Sequence, residues 1–453
     1  MTTATLTKIQ KNMLRKSSRT GVRNSFGQLQ RHVLHQRWLG KGNRYSVNTL
    51  NRLKKDLEPG RSINSGHLSQ YIAASAPLHC SDGWTYLGRA MICHARGDSP
   101  TALHLAYYAE LRAAVAILAA EGIGIFSRQH FVVDEDSNCQ RIPGKQHGTH
   151  VITWLALEHW AELRRSSEFV TSIIAPGSIP LSEWLTHFGA TVTTGGLVTS
   201  QMLKHWGLDL KHLSEDRDAR NEASYRPDRL VQRAALTANE VSEFLRNFWQ
   251  LLEPLPASPF EVLDRHLLRV TLEEAYAATI GRSAANDQAG FAVAVDRMLN
   301  GLSPSGLSAN EWKQFLTRST APSTPQLLEQ AAGREKSGSP IHHMQVMSRA
   351  GLLLRVATGA CNQLIRTAPF AGPDLQFWWS RVGDDLGIWN PVTIPTQLAD
   401  LWADIESALE ELQNWESENS SPAGSIVDWW FRLSNPISLL GTTERVALWG
   451  LGI

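Results

Sequence analysis

A charged segment in the middle of the chain carries the residue types best suited to binding an anion. In residues 215–227, five charged side chains come before Asn221, and a Ser-Tyr-Arg-Pro break ends the segment. Positions 217, 220 and 221 are spaced i, i+3 and i+4, so a helix would place Arg217, Arg220 and Asn221 on one face. Arg220 is a permanent cation with a planar fork of donors, which suits a phosphate or a carboxylate. An internal ion-pair network is the alternative, with Arg217 or Arg220 meeting Glu110 or Glu215.

A second polar set lies on a stretch that is otherwise apolar. In residues 100–125 the strongly polar groups are His104, Tyr107, Tyr108, Glu110 and Arg112. At 100° per residue, His104, Tyr108 and Arg112 fall within an arc of about 80° on a helix. Polar groups on a buried helix cost free energy unless they have partners. This face is therefore either a satisfied network in the core or one half of an active or binding cleft.

The elements that must position these residues are helical. Residues 102–121 are apolar almost all round, which predicts a helix buried on several sides. Amphipathic spacing predicts further helices over residues 149–169, 241–252, 271–280, 344–365 and 397–415. Strand signals are limited to residues 131–133 and 192–198. The predicted fold class is mainly α.

Two histidine–cysteine pairs could suggest a metal site. His79-Cys80 and Cys93-His94 stand close in the sequence, but adjacent side chains rarely both turn towards one tetrahedral zinc ion. We therefore interpret them as buried thiols and ordinary histidines, and predict neither a metal nor a cofactor. The common signatures of P-loop NTPases, zinc proteases and α/β-hydrolases are missing from the sequence.

Three short stretches resemble the HEPN-like helical proteins, particularly the YaaC-like kind. They are residues 82–90, residues 106–112 and the Arg-Asn-x-x-Ser-Tyr-x-Pro run of residues 220–227, and the similarity covers roughly residues 70–235. The resemblance implies a helical bundle that often dimerises. It also implies membership of toxin–antitoxin or antiphage systems, in which active members are metal-independent ribonucleases.

The resemblance includes one departure from the family's catalytic pattern. That pattern is an Arg, often followed by Asn, with a His after four to six further residues. Arg220 has the Asn neighbour, but Tyr225 stands where the His is expected. Tyrosine, with an ordinary pKa near 10, is a poor base at neutral pH, whereas imidazole suits both acid and base roles. Either His104 or His150 completes the site in space, or the domain binds without cutting, which the departure favours.

These arguments nominate two groups of site residues. The candidate catalytic residues are Arg220, Asn221, Tyr225, His104 and Glu110. The candidate binding residues are Arg217, Arg226, Tyr108 and Arg112. The expected function is a component of a bacterial antiphage defence or stress module that engages RNA or a partner protein, in its strongest form as a ribonuclease. The alternative is a non-catalytic scaffold or sensor subunit that docks on an ATPase or nuclease partner.

Charge is distributed unevenly along the chain. The formal net charge is +1, but the basic arm, residues 1–61, carries fourteen basic side chains and two acids. The acidic stretch, residues 384–428, carries ten acids and no Lys or Arg. Basic side chains interleaved with Phe, Trp, Tyr and His can neutralise phosphates and stack on bases. The arm could therefore bind RNA or another nucleic acid, pair with the acidic stretch in the chain or across an oligomer, meet another protein, or serve targeting.

Composition bounds the remaining possibilities. A length of 453 residues predicts two or three domains, and 42% hydrophobic content excludes wholesale disorder. We divide the chain into the basic arm, a HEPN-like helical domain at 62–235, a helical middle region at 236–370, and an acidic, Trp-rich helical region at 371–453. Four Cys without paired spacing and the lack of an apolar run near 20 residues favour a cytoplasmic protein with no membrane segment. A homo-oligomer or a hetero-complex is expected.

Overall fold

The chain is mainly helical, as the sequence predicts. The computed structural model describes residues 4–190, 199–210, 213–225, 236–256, 258–333, 342–389, 392, 395, 397–418 and 426–452. Helices account for 69% of the residues and strands for 3%, which confirms the mainly α class.

The helices are distributed along the whole chain. In order they are α1 Lys8–Arg15, α2 Arg19–Gly27, α3 Gln30–Val33, α4 Thr49–Asp56, α5 Ser65–Ala95, α6 Ser99–Ala120, α7 Thr149–Ala161, α8 Arg164–Ile173, α9 Leu181–Phe188, α10 Thr199–His205, α11 Leu213–Tyr225, α12 Ala238–Gln250, α13 Glu261–Ile280, α14 Gln288–Leu299, α15 Ala309–Leu316, α16 Gln326–Ala332, α17 His343–Arg366, α18 Gln376–Leu386, α19 Leu398–Glu418, α20 Ile426–Leu440 and α21 Glu444–Leu451. Short 3-10 helices cover Pro176–Ser178 and Gly372–Leu375.

Three long helices, α5, α6 and α17, form the centre of the bundle. The α5–α6 hairpin has a clear local cause: Gly97 takes a positive φ of 73°, and the Asp98 side chain accepts from the backbone N–H of Thr101 to begin α6. Since α5, α7, α11 and α17 all pack on α6, its apolar residues are buried on several sides, as predicted. Helices from all four sequence regions contribute to one cluster of buried apolar side chains.

Helix α6 is also long and apolar enough to cross a membrane. In its most apolar stretch of 18 residues, 78% is buried inside the protein. Other helices, rather than lipid, therefore cover this surface, which is the setting of a core helix in a soluble protein.

One small antiparallel sheet follows α6. Its strands are β1 Ile123–Phe126, β2 Gln129–Val133 and β3 Cys139–Arg141, in the order β1-β2-β3. The predicted strand at residues 131–133 lies within β2, while the one at 192–198 lies outside the described residues.

The helix predicted over residues 149–169 is wrong in one respect, because the structure divides it into α7 and α8. The break comes at Leu163, whose backbone is extended with ψ 141°. Next to the break, the Arg165 guanidinium donates to the carbonyl oxygens of Leu14, Arg15 and Ser17 at the end of α1. Restarting the helix thus brings a cation to the carbonyl oxygens at the C-terminal end of α1.

The basic arm is folded onto the body of the protein. Val22 and Phe26 of α2 are fully buried. The Phe26 ring lies 5.4 Å from that of Phe370, and the Trp38 ring lies 5.0 Å from that of Trp378. The arm therefore meets the beginning of the Trp-rich region through aromatic contacts.

Some of the arm's charges serve this packing. Arg19 lies 3.2 Å from Glu121, and its guanidinium carbon stands 3.4 Å from the centre of the Phe169 ring. Arg44 pairs with the buried Asp56 inside the arm itself. Among the described residues, the ion pairs of the acidic stretch are made with Arg246, Arg381 and Arg445, and none is made with the arm.

Candidate functional site

Arg220, on α11, packs against two tyrosines of α6. Its guanidinium carbon lies 5.1 Å from the centre of the Tyr107 ring and 5.6 Å from that of Tyr108, within range of cation–π attraction. The residue is 8% exposed, and its Nε is buried without a hydrogen-bond partner. Arg220 is therefore a nearly buried cation bordered by aromatic rings.

His104 approaches α11 one turn further along. Its Nδ1 lies 2.6 Å from the Ser224 Oγ, and the Ser224 hydroxyl donates to the Arg220 carbonyl oxygen at 2.8 Å. Because that hydroxyl has one hydrogen and it is already used, the imidazole must donate from Nδ1. Nε2 then keeps its lone pair. Burial, and next the Arg220 charge, lower the pKa of His104, so the imidazole is neutral at pH 7 with a base nitrogen available.

His150, on α7, stands on the other side of the tyrosines. Its Nδ1 lies 3.0 Å from the Tyr107 hydroxyl oxygen, and its ring stacks on the Tyr107 ring with centres 5.7 Å apart. Burial, followed by the charges of Arg220 and Arg217, lowers the pKa of His150. Burial also raises the pKa of Tyr107, so this phenol stays protonated and can donate to His150. The positive charge of Arg220 thus lowers the pKa of both His104 and His150.

The cations around Arg220 have acidic partners. The Arg217 Nη2 lies 3.0 Å from the Asp218 Oδ1, and the Arg349 Nη2 lies 2.6 Å from the Asp216 Oδ1. Within the part of the chain that the structure describes, no carboxylate forms an ion pair with Arg220. Among the described residues, its positive charge is therefore the one that no acid offsets at this site.

A buried ion pair fixes α11 in place. Arg349 of α17 donates from Nε and Nη2 to the two carboxylate oxygens of Asp216, at 2.8 and 2.6 Å. Its Nε also lies 3.6 Å from the Glu110 Oε1. Burial, followed by the Asp216 charge, raises the pKa of the fully buried Glu110 well above its ordinary value. One arginine thus neutralises Asp216, while Glu110 keeps its proton.

Three of the predicted site residues come together. Arg220, His104 and Tyr108 meet where α6 and α11 pack, and the His104 ring centre lies 5.1 Å from that of Tyr108. Asn221 is half-buried beside them on α11. The alternative in which Glu110 meets Arg217 or Arg220 is corrected, because the arginine that lies against its carboxyl group is Arg349.

The other predicted residues are separate from this cluster. Glu110 lies against Arg349, next to the buried Arg349–Asp216 pair. Arg112 turns to His79, with 2.7 Å between its Nη1 and the histidine Nδ1. Tyr225 is 80% exposed at the end of α11. Arg226 lies outside the described residues.

The two histidine–cysteine pairs are divided among different neighbours. The Nδ1 of His94 lies 2.7 Å from the Nε2 of His343, and the Cys80 sulfur lies 3.4 Å from the Thr358 hydroxyl oxygen. Across the described ranges, no group of three His, Cys, Asp or Glu residues could hold a metal ion.

Sequence reasoning missed three residues that support the site. Ser224 orients His104 and stands four residues after Arg220, a spacing that could have identified it. Asp216 and Arg349 anchor α11 but are 133 positions apart, and no local pattern joins them.

A cavity of about 690 Å³ opens beside the cluster. It lies between α7, α11 and the arm residues that include α1, and it shares His150 and Arg217 with the surroundings of Arg220. Its walls combine aromatic and aliphatic side chains with several charged ones, as is usual for ligand pockets of this size.

Comparisons with known proteins add no family to this geometry. The chain matches no protein-family model, no curated protein and no solved structure.

Proposed function

We propose that this protein binds RNA at the Arg220 site and cleaves it without a metal, as a cytoplasmic component of a bacterial defence or stress module. The observation that carries the proposal is the charge of Arg220, which no described carboxylate neutralises although Arg217 and Arg349, the other arginines at α11, have acidic partners. An anion is the ligand that such a cation lacks, and the guanidinium fork matches a phosphate. The HEPN-like resemblance of residues 220–227 points to the same ligand.

The two imidazoles supply the chemistry. His104 presents an unprotonated Nε2, which can take the proton of a ribose 2′-hydroxyl. The 2′-oxygen then attacks phosphorus, the bond to the 5′-oxygen breaks, and a 2′,3′-cyclic phosphate forms. His150, in its protonated form, gives the leaving oxygen a proton. A bound phosphate offsets the Arg220 charge and raises the pKa of both histidines, so we expect a bell-shaped pH dependence with its maximum below pH 7.

Cleavage of a mixed RNA pool in EDTA tests the proposal. Because Arg220→Ala removes a buried side chain, Arg220→Lys and His104→Gln are the more informative variants. Arg164→Ala, which changes a highly exposed arginine on α8, is the matched control. We expect His104→Gln to slow cleavage by about 10²- to 10⁴-fold with RNA affinity retained. Arg220→Lys should weaken RNA binding and slow cleavage, and Arg164→Ala should change neither.

The outcomes separate two versions of the function. Binding that depends on Arg220, with no cleavage under any condition, supports a non-catalytic RNA-binding subunit. RNA affinity that is identical in the wild type and in folded Arg220 variants refutes both versions. Thermal unfolding of each variant identifies those that fail to fold.

The basic arm offers a second contact for the same RNA. Arg52, Lys54 and Lys55 are exposed on α4 around a hollow of about 450 Å³. Deleting residues 1–61 would uncover the core, since Val22 and Phe26 are buried, so the sharper test replaces these three side chains with Gln. Three lost phosphate contacts should reduce the slope of log affinity against log salt by about 2 for single-stranded RNA. An unchanged slope would show that α4 does not contact the backbone.

A further inference from the structure

The cavity beside Arg220 has the position of a nucleoside pocket. His150 and Arg217 line it, and Arg217 stands one helical turn before Arg220 on α11. Side chains three residues apart on a helix are separated by about 5–6 Å, which is within the span of a single nucleotide. A phosphate held at Arg220 would therefore carry its nearest nucleoside to the mouth of this cavity.

The walls of the cavity favour a flat base with hydrogen-bond donors. Trp154 and Leu155 of α7 and Leu6 of the arm supply aromatic and aliphatic surface. Glu158 follows on the same helix, and Glu162 caps the end of that helix four residues later, with a helical backbone that keeps both on one face. Acids outnumber the basic side chains, which are Lys11 and Arg217. A second phosphate is thus disfavoured here by like charge.

Glu158 is the acceptor best placed inside the cavity, because the other acid without a described partner, Glu162, is exposed. It is half-buried, and no side chain in the described parts of the chain forms a hydrogen bond or an ion pair with it. Asp218, in contrast, is already paired with Arg217. A carboxylate accepts two parallel N–H groups well, and guanine presents N1–H and an N2 amino hydrogen side by side. Adenine, cytosine and uracil each place an acceptor next to their donor on that edge.

We infer that the cavity holds a guanine base, with Glu158 accepting from its N1 and N2 groups. The inference rests on the proposed function, because the base belongs to the nucleotide whose phosphate Arg220 binds. The site is then selective for sequence at one position, and the arm residues of the cavity wall take part in that selection.

Calorimetric titrations test the pocket and the phosphate site separately. The probes are 2′-O-methyl tetranucleotides, which cannot be cleaved, identical except for guanine, inosine or uracil at one position. Guanosine and inosine, which carry no phosphate, are the second pair of probes. We expect guanine to bind about 5- to 150-fold more tightly than its inosine counterpart, which lacks the N2 amino group. Glu158→Gln should abolish that preference and leave the affinity for the uracil oligonucleotide unchanged, whereas Glu162→Gln, at the end of the same helix, is the control.

Each result identifies which idea fails. Oligonucleotide binding that requires Arg220 but shows no preference for guanine overturns the pocket and leaves the proposed function standing. Guanosine binding that requires Glu158, without any contribution of Arg220 to oligonucleotide affinity, supports the pocket and overturns the proposed function. A guanine preference that survives in Glu158→Gln refutes the assignment of that carboxylate.

Discussion

Replacing Glu110 by Gln should make the protein more stable at neutral pH. Glu110 is fully buried, and burial together with the Asp216 charge raises its pKa well above the ordinary 4.5. The folded protein therefore keeps a proton that the unfolded chain releases. Gln has nearly the shape of protonated Glu and carries no charge at any pH. The variant thus keeps the native arrangement, and its folding does not require a carboxyl group to take up a proton.

The magnitude follows from proton linkage. A raised carboxyl pKa gives stability that is complete below pH 4.5 and is lost as the pH rises towards the folded-state pKa. Each pH unit above 4.5 favours the unfolded wild type by about 1.4 kcal/mol, so the difference reaches about 3 kcal/mol at pH 7 if Glu110 is still protonated there. Glu110→Gln should therefore gain up to about 3 kcal/mol at pH 7 and almost nothing at pH 4.5.

Urea unfolding of the wild type and Glu110→Gln between pH 4.5 and 8 measures this difference. RNA cleavage should be unchanged in the variant, since Glu110 lies in the buried pair and not among the groups beside Arg220. A loss of more than about 1 kcal/mol at pH 7, or a difference that does not vary with pH, would refute the protonated state. A stable variant without activity would instead restore Glu110 as a catalytic residue.

Further expectations concern the packing around the site. Asp216→Asn should lower the free energy of unfolding by about 3–5 kcal/mol, because it leaves the buried Arg349 guanidinium without its two-pronged partner, and urea unfolding measures this. Gly88→Ala should cost about 1–3 kcal/mol or more, since the new Cβ would lie 2.1 Å from the Gly441 oxygen, whereas an Ala at the unobstructed position 42 should stay within about 0.5 kcal/mol. Burial, and next the charge of His342, lowers the pKa of His94 to about 3. The neutral His94 therefore stabilises the fold above pH 6.5, and this stability is lost as the pH falls. Between pH 7 and 5, the free energy of unfolding of His94→Gln should fall by about 2 kcal/mol less than that of the wild type.

Local patterns predicted the elements of the fold but not their partners. The apolar periodicity of residues 102–121 gave α6, and its polar arc gave His104, Tyr108 and Arg112 as one set. In the structure the arc spans two neighbours, because Arg112 turns to α5 while the other two face α11. A face of about 80° is wide enough to contact two helices, and sequence periodicity cannot say where one contact ends.

Spacing rules also predicted a histidine on α11 itself, whereas the histidines near Arg220 lie on other helices. The expected His five residues after Arg220 is Tyr225, which is 80% exposed. The histidines whose pKa values respond to the Arg220 charge are His104, on α6, and His150, on α7. Their approach depends on how α11 packs, and that packing is fixed by a partner on α17 far along the chain. No window of sequence contains both ends of such a contact.

The packing around Arg220 does not recover the free energy that burying its charge costs. A guanidinium at 8% exposure has lost most of its water, and a buried charge without a partner is costly by several kcal/mol. The Tyr107 and Tyr108 rings return about 0.5–2 kcal/mol through cation–π attraction. An acid in that position would recover more, and the chain has one close by in Asp216, yet Asp216 is bound to Arg349. Within the described part of the chain, Arg220 is thus left without an acid while Arg349 has one. An anionic ligand offsets that cost on binding, because the guanidinium is already desolvated and held in place.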